Sequence, residues 1–212
     1  MSMSETASPR YLVTGGAGFI GLAFVKYLIS VQPECDVMVL DKLSYASRVK
    51  ELQNLVDNQK IRFIKGDITN PKTVRKCISG VDYLINFAAE SHVDRSIQDS
   101  LPFVHSNTYG VQVLLEAGLE AKVKTFIQIS TDEVYGTISE GSWTENSPLL
   151  PNSPYAASKA SGDLLALAFR RTHGMDVRIT RCSNNYGPGQ FPEKLIPKVI
   201  SNVIQGLSLI HI

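Results

Sequence analysis

The segment TGGAGFIG at 14–21 is the feature that most restricts how this chain can fold. It follows a short run of strand formers at 10–14 and precedes a helical pattern of apolar residues over 19–30. Glycines at such a place let the chain turn tightly and let a helix pack closely on a strand. The start of the helix also offers free N–H groups, which bind phosphate. The segment therefore predicts a strand–turn–helix unit that holds a nucleotide phosphate.

The remainder of the chain continues this alternation of short apolar runs and longer helical patterns. Strands are predicted over 36–40, 61–65, 82–86, 125–130 and 177–181, and helices over 48–56, 71–79, 101–121, 155–172 and 193–205. Strands that alternate with helices are typical of βαβ units, whose right-handed crossovers build a parallel sheet covered on both faces. The predicted fold class is α/β, a doubly wound parallel sheet. We interpret the irregular stretch 135–154 as a functional loop rather than a domain boundary.

Composition argues against several classes of protein. The 212 residues carry a formal net charge of +1, so no general field favours nucleic acid. No uncharged apolar run reaches membrane-spanning length, and the three cysteines lack the CxxC spacing typical of metal sites. We expect a soluble cytoplasmic protein that binds no metal, no nucleic acid and no membrane, with residues 1–9 disordered.

An acidic residue at the end of the second predicted strand points to the kind of nucleotide. Asp41 lies twenty positions after Gly21. A carboxylate at this place accepts hydrogen bonds from adenosine ribose hydroxyls, and it repels the extra phosphate of NADP. This favours NAD as the cofactor, although the neighbouring cations Lys42 and Arg48 weaken the preference. The competing interpretation is a plain tight turn followed by a solvated aspartate.

Two further places at the carboxyl edge of the predicted sheet are candidate cofactor contacts. Asp67 follows the third strand, and the residues Phe-Ala-Ala at 87–89 follow the fourth. Ligands of doubly wound sheets bind at this edge. On the residues alone, Gly66-Asp67 is as typical of a turn, and 87–89 are equally well explained as core.

Candidate catalytic residues follow the fifth predicted strand. Tyr155 and Lys159 are four positions apart, so they share one face of a helix. A lysine cation beside a phenol lowers the pKa of the phenol, which can then take a proton from a substrate hydroxyl as hydride leaves. The stretch STDEVYG at 130–136 adds hydroxyls and two carboxylates. Its pattern is equally typical of a helix cap, and a Tyr–Lys pair alone is common on surfaces.

Together these motifs resemble the extended short-chain dehydrogenase/reductases, and within them the dTDP-glucose 4,6-dehydratases. The resemblance covers about 10–206 and rests on TGGAGFIG (14–21), DKLSYAS (41–47), GDI (66–68), NFAAESHVDRSI (86–97), NTYG (107–110), STDEVYG (130–136), SPYAASKA (153–160), TRCSNNYGP (180–188) and FPEKLIP (191–197). It implies an NAD-binding Rossmann domain over 10–190 and the start of a substrate-binding lobe over 191–212. Most of that lobe is expected to be absent, since family members are longer.

The resemblance implies a lyase acting on a nucleotide sugar, dTDP-glucose or UDP-glucose, with NAD reduced and then regenerated. Tyr155, assisted by Lys159, would remove the proton of the sugar 4-hydroxyl, and Thr131 would hydrogen-bond the 4-oxygen. Glu133 would take the proton from C5, and Asp132 would protonate the departing 6-hydroxyl. The product would be a 4-keto-6-deoxy sugar nucleotide.

The resemblance also implies contacts that the residues alone do not specify. The full set of expected cofactor contacts is Gly15, Gly18, Phe19, Ile20, Gly21, Asp41, Lys42, Ser44, Asp67, Ile68, Phe87, Ala88, Ala89, Ser91, Thr108, Ser130, Tyr155, Lys159 and Cys182. The expected substrate contacts are Ser91, His92, Thr131, Asp132, Glu133, Tyr155, Asn184, Glu193, Lys194 and Leu195. His92 is also readily explained as a structural histidine, and 193–195 as the cap of the last helix.

Family members commonly dimerise through two helices, so the resemblance implies a homodimer formed by 101–121 and 155–172. Three alternatives remain at this point. The chain is a UDP-sugar epimerase or UDP-glucose dehydratase, a catalytically impaired NAD-binding or regulatory module, or a structural subunit that binds no cofactor.

Overall fold

The computed structural model describes residues 8–207 and contains one six-stranded parallel sheet in the order β3-β2-β1-β4-β5-β6. Its strands are β1 (Arg10–Thr14), β2 (Asp36–Asp41), β3 (Arg62–Lys65), β4 (Tyr83–Asn86), β5 (Thr125–Thr131) and β6 (Val177–Cys182). The α-helices are α1 (Phe19–Val31), α2 (Val49–Asp57), α3 (Pro71–Ile78), α4 (Val93–Gln98), α5 (Leu101–Val104), α6 (Gly110–Glu120), α7 (Pro154–His173) and α8 (Leu195–Ile204). The predicted doubly wound α/β fold is confirmed.

Each face of the sheet has its own apolar core, because neighbouring residues of a strand point to opposite faces. Leu12 and Leu40 belong to a buried cluster with residues of α3, α6 and α7. Val13 and Val39 belong to a second cluster with residues of α1 and α2. Strands buried on both faces read as continuous apolar runs, which is why β1 and β2 show no polar alternation.

The predicted helix over 101–121 is interrupted by a π-helical turn at His105–Tyr109. The extra residue in such a turn changes the direction of the side chains that it carries. Within it, Asn107 donates to the backbone oxygen of Glu90 and accepts from its backbone nitrogen, both at 2.9 Å. The turn therefore fixes the loop that follows β4.

Two short elements were not predicted. Helix α4 has only six residues, VDRSIQ, too few for a helical period to stand out. The other is a 3-10 turn at Asp132–Tyr135, in the stretch whose pattern was also typical of a cap. Residues 1–7 of the predicted disordered segment and 208–212 of the predicted lobe lie outside the described residues. Within 8–207, no helix is both long and apolar enough to cross a membrane.

A chain of buried polar side chains lies beneath the carboxyl edge of the sheet. Thr14 Oγ1 donates to Asn86 Oδ1 at 2.6 Å, and Asn86 Nδ2 donates to Gln128 Oε1 at 2.9 Å. Asn86 Oδ1 also accepts from the backbone nitrogen of Ala88 at 3.1 Å. This network links three strands and holds the first residues of the loop after β4 against the glycine turn.

Candidate active site

A cavity of about 620 Å³ opens at the carboxyl edge of the sheet. It lies where the strand order reverses between β1 and β4, which is the usual ligand crevice of doubly wound sheets. All of the predicted ligand contacts line it except His92, Thr108 and Asp132. Sequence reasoning missed Tyr45 and Ser106, which also line it.

The three exceptions have identifiable partners. Thr108 faces α7, where its hydroxyl donates to the backbone oxygen of Ser158 at 3.4 Å. The imidazole Nε2 of His92 lies 3.8 Å from Glu193. Asp132 accepts from the hydroxyl of Thr131 at 3.3 Å. None of the three side chains lines the cavity.

The glycine turn is packed so closely that two of its positions exclude any side chain. Gly15 has φ +69°, and a Cβ there would lie 2.5 Å from the backbone nitrogen of Ala88. A Cβ on Gly21 would lie 2.3 Å from the backbone oxygen of Gly15. Gly18 begins α1 without a side-chain cap, so the N–H groups of the first turn stay available to an anion.

Asp41 is held rigidly at the end of β2 and is 9% exposed. Its carboxylate accepts from the backbone nitrogen of Ala17 at 3.0 Å and of Leu43 at 2.8 Å. Burial raises its pKa, and the two backbone N–H groups oppose that effect. Because a carboxylate has about four acceptor sites, Asp41 can still accept hydrogen bonds from a ligand in the cavity.

The two nearby cations are engaged elsewhere. Lys42 pairs with Glu90 at 2.7 Å. Arg48 pairs with Glu51 and donates to the backbone oxygen of Pro188 at 3.4 Å. Each of the two cations therefore already has a carboxylate partner.

Helix α7 presents Tyr155 and Lys159 to the cavity. The helix begins at Pro154, and the Ser153 hydroxyl caps it by accepting from the backbone nitrogen of Ala156 at 3.1 Å. Lys159 Nζ donates to the backbone oxygen of Ile129 on β5 at 2.6 Å. Burial lowers the pKa of Lys159 to about 8, against the opposing charge of Asp163.

The surroundings of the Tyr155 phenol act on its pKa in both directions. Burial raises the pKa of the Tyr155 phenol, and the carboxylate of Glu133 raises it further. The Thr131 hydroxyl lowers it. The ammonium of Lys159 donates to the backbone oxygen of Ile129.

The stretch after β5 is both a cap and part of the cavity. The Thr131 hydroxyl accepts from the backbone nitrogen of Glu133 at 3.2 Å and so starts the 3-10 turn. Glu133 lines the cavity, and burial, then the charge of Asp132, raises its pKa, while Lys194 lowers it. A hydroxyl, a carboxyl with raised pKa and a phenol therefore converge on one wall.

The far end of the cavity carries a polar cluster centred on Glu193. Its carboxylate accepts from the Tyr45 hydroxyl at 2.8 Å and from Arg95 at 3.2 Å. The guanidinium of Arg95 lies 4.3 Å from the centre of the Tyr45 ring. No sequence pattern links these three residues, since they come from three separate loops and helices. Among residues 8–207, no group of His, Cys, Asp and Glu side chains is arranged to hold a metal ion.

Residues 12–211 match the family model described as GDP-mannose 4,6 dehydratase. A dTDP-glucose 4,6-dehydratase from Streptomyces niveus is 53% identical over 201 residues, covering 93% of this chain and 60% of that relative. The protein of the same name from Mycobacterium tuberculosis strain H37Rv is 44% identical over 200 residues, with coverage of 93% and 60%. The chain thus spans about 60% of the length of these curated relatives.

Solved structures show the same likeness. DesIV, a dTDP-glucose 4,6-dehydratase from Streptomyces venezuelae with NAD bound, matches with a TM-score of 0.89 and 52% identity, covering 93% of this chain and 62% of that one. A UDP-glucuronic acid 4-epimerase from Bacillus cereus, in complex with UDP-glucuronic acid and NAD, matches with a TM-score of 0.88 and 31% identity, covering 94% and 64%. The resemblance to dTDP-glucose 4,6-dehydratases is confirmed, and the chain belongs to the family described as GDP-mannose 4,6 dehydratase.

Proposed function

We propose that this chain carries the NAD-binding and catalytic part of a dTDP-glucose 4,6-dehydratase, which converts dTDP-glucose to dTDP-4-keto-6-deoxyglucose and water. The observation that carries the proposal is the convergence of Thr131, Glu133 and Tyr155 on the cavity that the glycine turn also lines. Tyr155, as the phenolate, can remove the proton of a substrate hydroxyl. The adjacent carboxyl with a raised pKa adds the base that an elimination needs.

The glycine end of the cavity fits NAD. The uncapped start of α1 offers N–H groups and a positive dipole to the diphosphate. Asp41 can accept from the ribose hydroxyls, and the pairing of Lys42 and Arg48 with carboxylates removes a site for the extra phosphate of NADP. Held at this end of the cavity, NAD would supply reversible hydride transfer to and from the sugar.

The residues of the chain move the protons of this reaction. Tyr155, as the phenolate, takes the proton of the 4-hydroxyl, and Thr131 donates a hydrogen bond to the 4-oxygen. The resulting ketone makes the C5 hydrogen acidic, and Glu133 removes it. The side chain of Asp132 turns from Thr131 towards the cavity and protonates the 6-hydroxyl, which leaves as water. The protonated Glu133 returns its proton to C5 when hydride reaches C6. The raised pKa of Glu133 makes it a stronger base than an ordinary carboxylate once it is ionised.

Binding of NAD to the full 212-residue chain tests the cofactor part of this proposal. We expect Gly21→Ala to weaken NAD binding at least about tenfold in calorimetry, because overpacking of a tight turn displaces it. In the control Gly174→Ala, the glycine has φ +67° and open space around a Cβ, so the substitution strains only the end of α7. That variant should bind NAD like the unchanged chain. Equal affinity in the Gly21 variant would contradict the assignment.

The raised pKa of Glu133 predicts the pH dependence of the reaction. The base must be ionised, so the rate of dehydration should fall as the pH falls through a value above 4.5, the ordinary value. Lys194→Met removes a cation that lowers this pKa, and it should shift the acid limb of kcat to higher pH. Product formation measured across pH checks the shift. Lys60→Met, an exposed lysine of the α2–β3 loop, should leave the limb in place. An unmoved or lowered limb in the Lys194 variant would be inconsistent with Glu133 as the base.

We further propose that the chain functions in the cytoplasm as a homodimer paired through α5, α6 and α7. In support, α7 exposes Leu164 by 57%, and the neighbouring helix exposes Leu101 by 75% and Val104 by 47%. Apolar side chains exposed on adjacent helices favour a partner surface. Sedimentation equilibrium should give a dimer for the chain and a monomer for Leu164→Glu. Tyr27→Glu, which replaces an exposed residue of α1, should remain dimeric. A monomeric unchanged chain would overturn this assembly.

A further inference from the structure

A buried acid–base pair lies beneath the lysine of the active site. Asp163 is fully buried at 0% exposure, one helical turn after Lys159 on α7. Its carboxylate Oδ2 lies 2.9 Å from Nε of Arg181 on β6. Neither residue was among the predicted site residues, and the proton transfers proposed above use neither. A buried ion pair is weak evidence for stability, because desolvation of both charges offsets their attraction. We therefore consider the effect of the Asp163–Arg181 pair on the neighbouring side chains of the active site.

The arginine of this pair is itself held in place. Arg181 donates to the Tyr135 hydroxyl at 2.8 Å, and its guanidinium lies 5.1 Å from the centre of the Tyr135 ring. Tyr135 stacks on Trp143 with ring centres 5.8 Å apart. Because the guanidinium is fixed by both a carboxylate and a phenol, the position of Asp163 is fixed as well. Tyr135 also ends the 3-10 turn that carries Glu133, so one network supports both walls of the site.

We propose that Asp163 is a positioning residue for Lys159: held by Arg181, it is the buried anion that keeps the lysine ammonium charged and directed at the cavity. This inference rests on the proposed function in so far as Lys159 takes part in catalysis. Residues four apart on a helix are neighbours on one face, which places the carboxylate beside the lysine stem. The ammonium then remains able to donate to Ile129 on β5.

The charges around Lys159 support this assignment. Burial alone drives a lysine towards the neutral amine. The charges that act on Lys159 come from Asp163 on α7 and Cys182 on β6. Asp163 itself is paired with Arg181 on β6. Of the charges that oppose burial and raise the pKa of Lys159, Asp163 has the largest effect. The carboxylates of the 3-10 turn act on Tyr155 instead.

Direct titration of Lys159 tests the proposal without any need for activity. NMR of isotope-labelled lysine side chains in the full chain gives the titration midpoint, and the Lys159 signal is the one that disappears in Lys159→Arg. We expect a midpoint of about 8 in the unchanged chain. Asp163→Asn, which keeps the shape of the side chain, should lower it by about one pH unit or more. Arg181→Gln, which leaves the anion and removes its partner cation, should raise it.

A matched control uses a surface pair of the same chemistry. Asp176 pairs with Arg178 at 3.0 Å near the start of β6, and Asp176→Asn should leave the Lys159 midpoint unchanged. An unchanged midpoint in a folded Asp163→Asn variant would overturn the positioning role. Loss of folding in that variant would overturn it too, since the carboxylate would then serve the fold. Because the readout is a titration, a chain that proves inactive on dTDP-glucose would refute the proposed function and leave this result standing.

Discussion

Replacement of Tyr155 by phenylalanine is expected to lower kcat for water loss from dTDP-glucose by about 10²- to 10⁴-fold, the usual contribution of a positioned acid–base group. In the proposed reaction, the phenolate oxygen of Tyr155 receives the 4-hydroxyl proton. The ring itself is retained, so its edge contact with Phe103, with centres 6.4 Å apart, is kept. Steady-state rates measured by mass spectrometry of the sugar nucleotide check the prediction.

The control for this variant is Tyr27→Phe. Tyr27 is 66% exposed on α1, and loss of its hydroxyl should not change kcat. NAD binding should be similar in both variants, because neither change touches the glycine turn. A Tyr155→Phe chain that keeps more than about a tenth of the unchanged rate would show that another group takes the proton.

Replacement of Glu133 by glutamine is expected to separate elimination from the first proton removal. Glutamine has the same shape but cannot accept the C5 proton, so water loss should fall by about 10²- to 10⁴-fold. Exchange of the C5 hydrogen with deuterated solvent should be lost in parallel. Removal of the 4-hydroxyl proton does not use this carboxylate, and KM for dTDP-glucose should change little.

An exposed glutamate provides the comparison. Glu140 lies in the loop after the 3-10 turn, and Glu140→Gln should leave both water loss and C5 exchange unchanged. Normal C5 exchange in the Glu133 variant would show that the base lies elsewhere. In that case the pH dependence predicted from the pKa of Glu133 would also be wrong.

The parts of the site that the sequence predicted are local ones. The glycine turn, Asp41 and the spacing of Tyr155 and Lys159 each depend on residues within a strand, a turn or a helix. The strands were recognised for the same reason, since burial on both faces makes them continuous apolar runs. Even the ambiguity between a cap and a catalytic stretch at Thr131 has a physical basis, because the same hydroxyl caps the 3-10 turn and lines the cavity.

The parts that it did not predict depend on contacts between distant segments. Tyr45 and Glu193 are 148 positions apart, and only the folded chain brings them to 2.8 Å. Asp163 and Arg181 meet across a helix and a strand. The burial that raises the pKa of Tyr155 could not be predicted either, because the spacing to Lys159 does not reveal how deeply the phenol is buried or which acceptor the ammonium binds.

The most direct measurement is to incubate the purified 212-residue chain with NAD and dTDP-glucose, with UDP-glucose in parallel, and to identify the product by mass spectrometry. We expect dTDP-glucose to lose one water, to do so faster than UDP-glucose, and to stay intact with the Tyr155→Phe chain. A product of unchanged mass that is inverted at C4 would indicate an epimerase. No product from a chain that still binds NAD would contradict the proposed dehydratase activity.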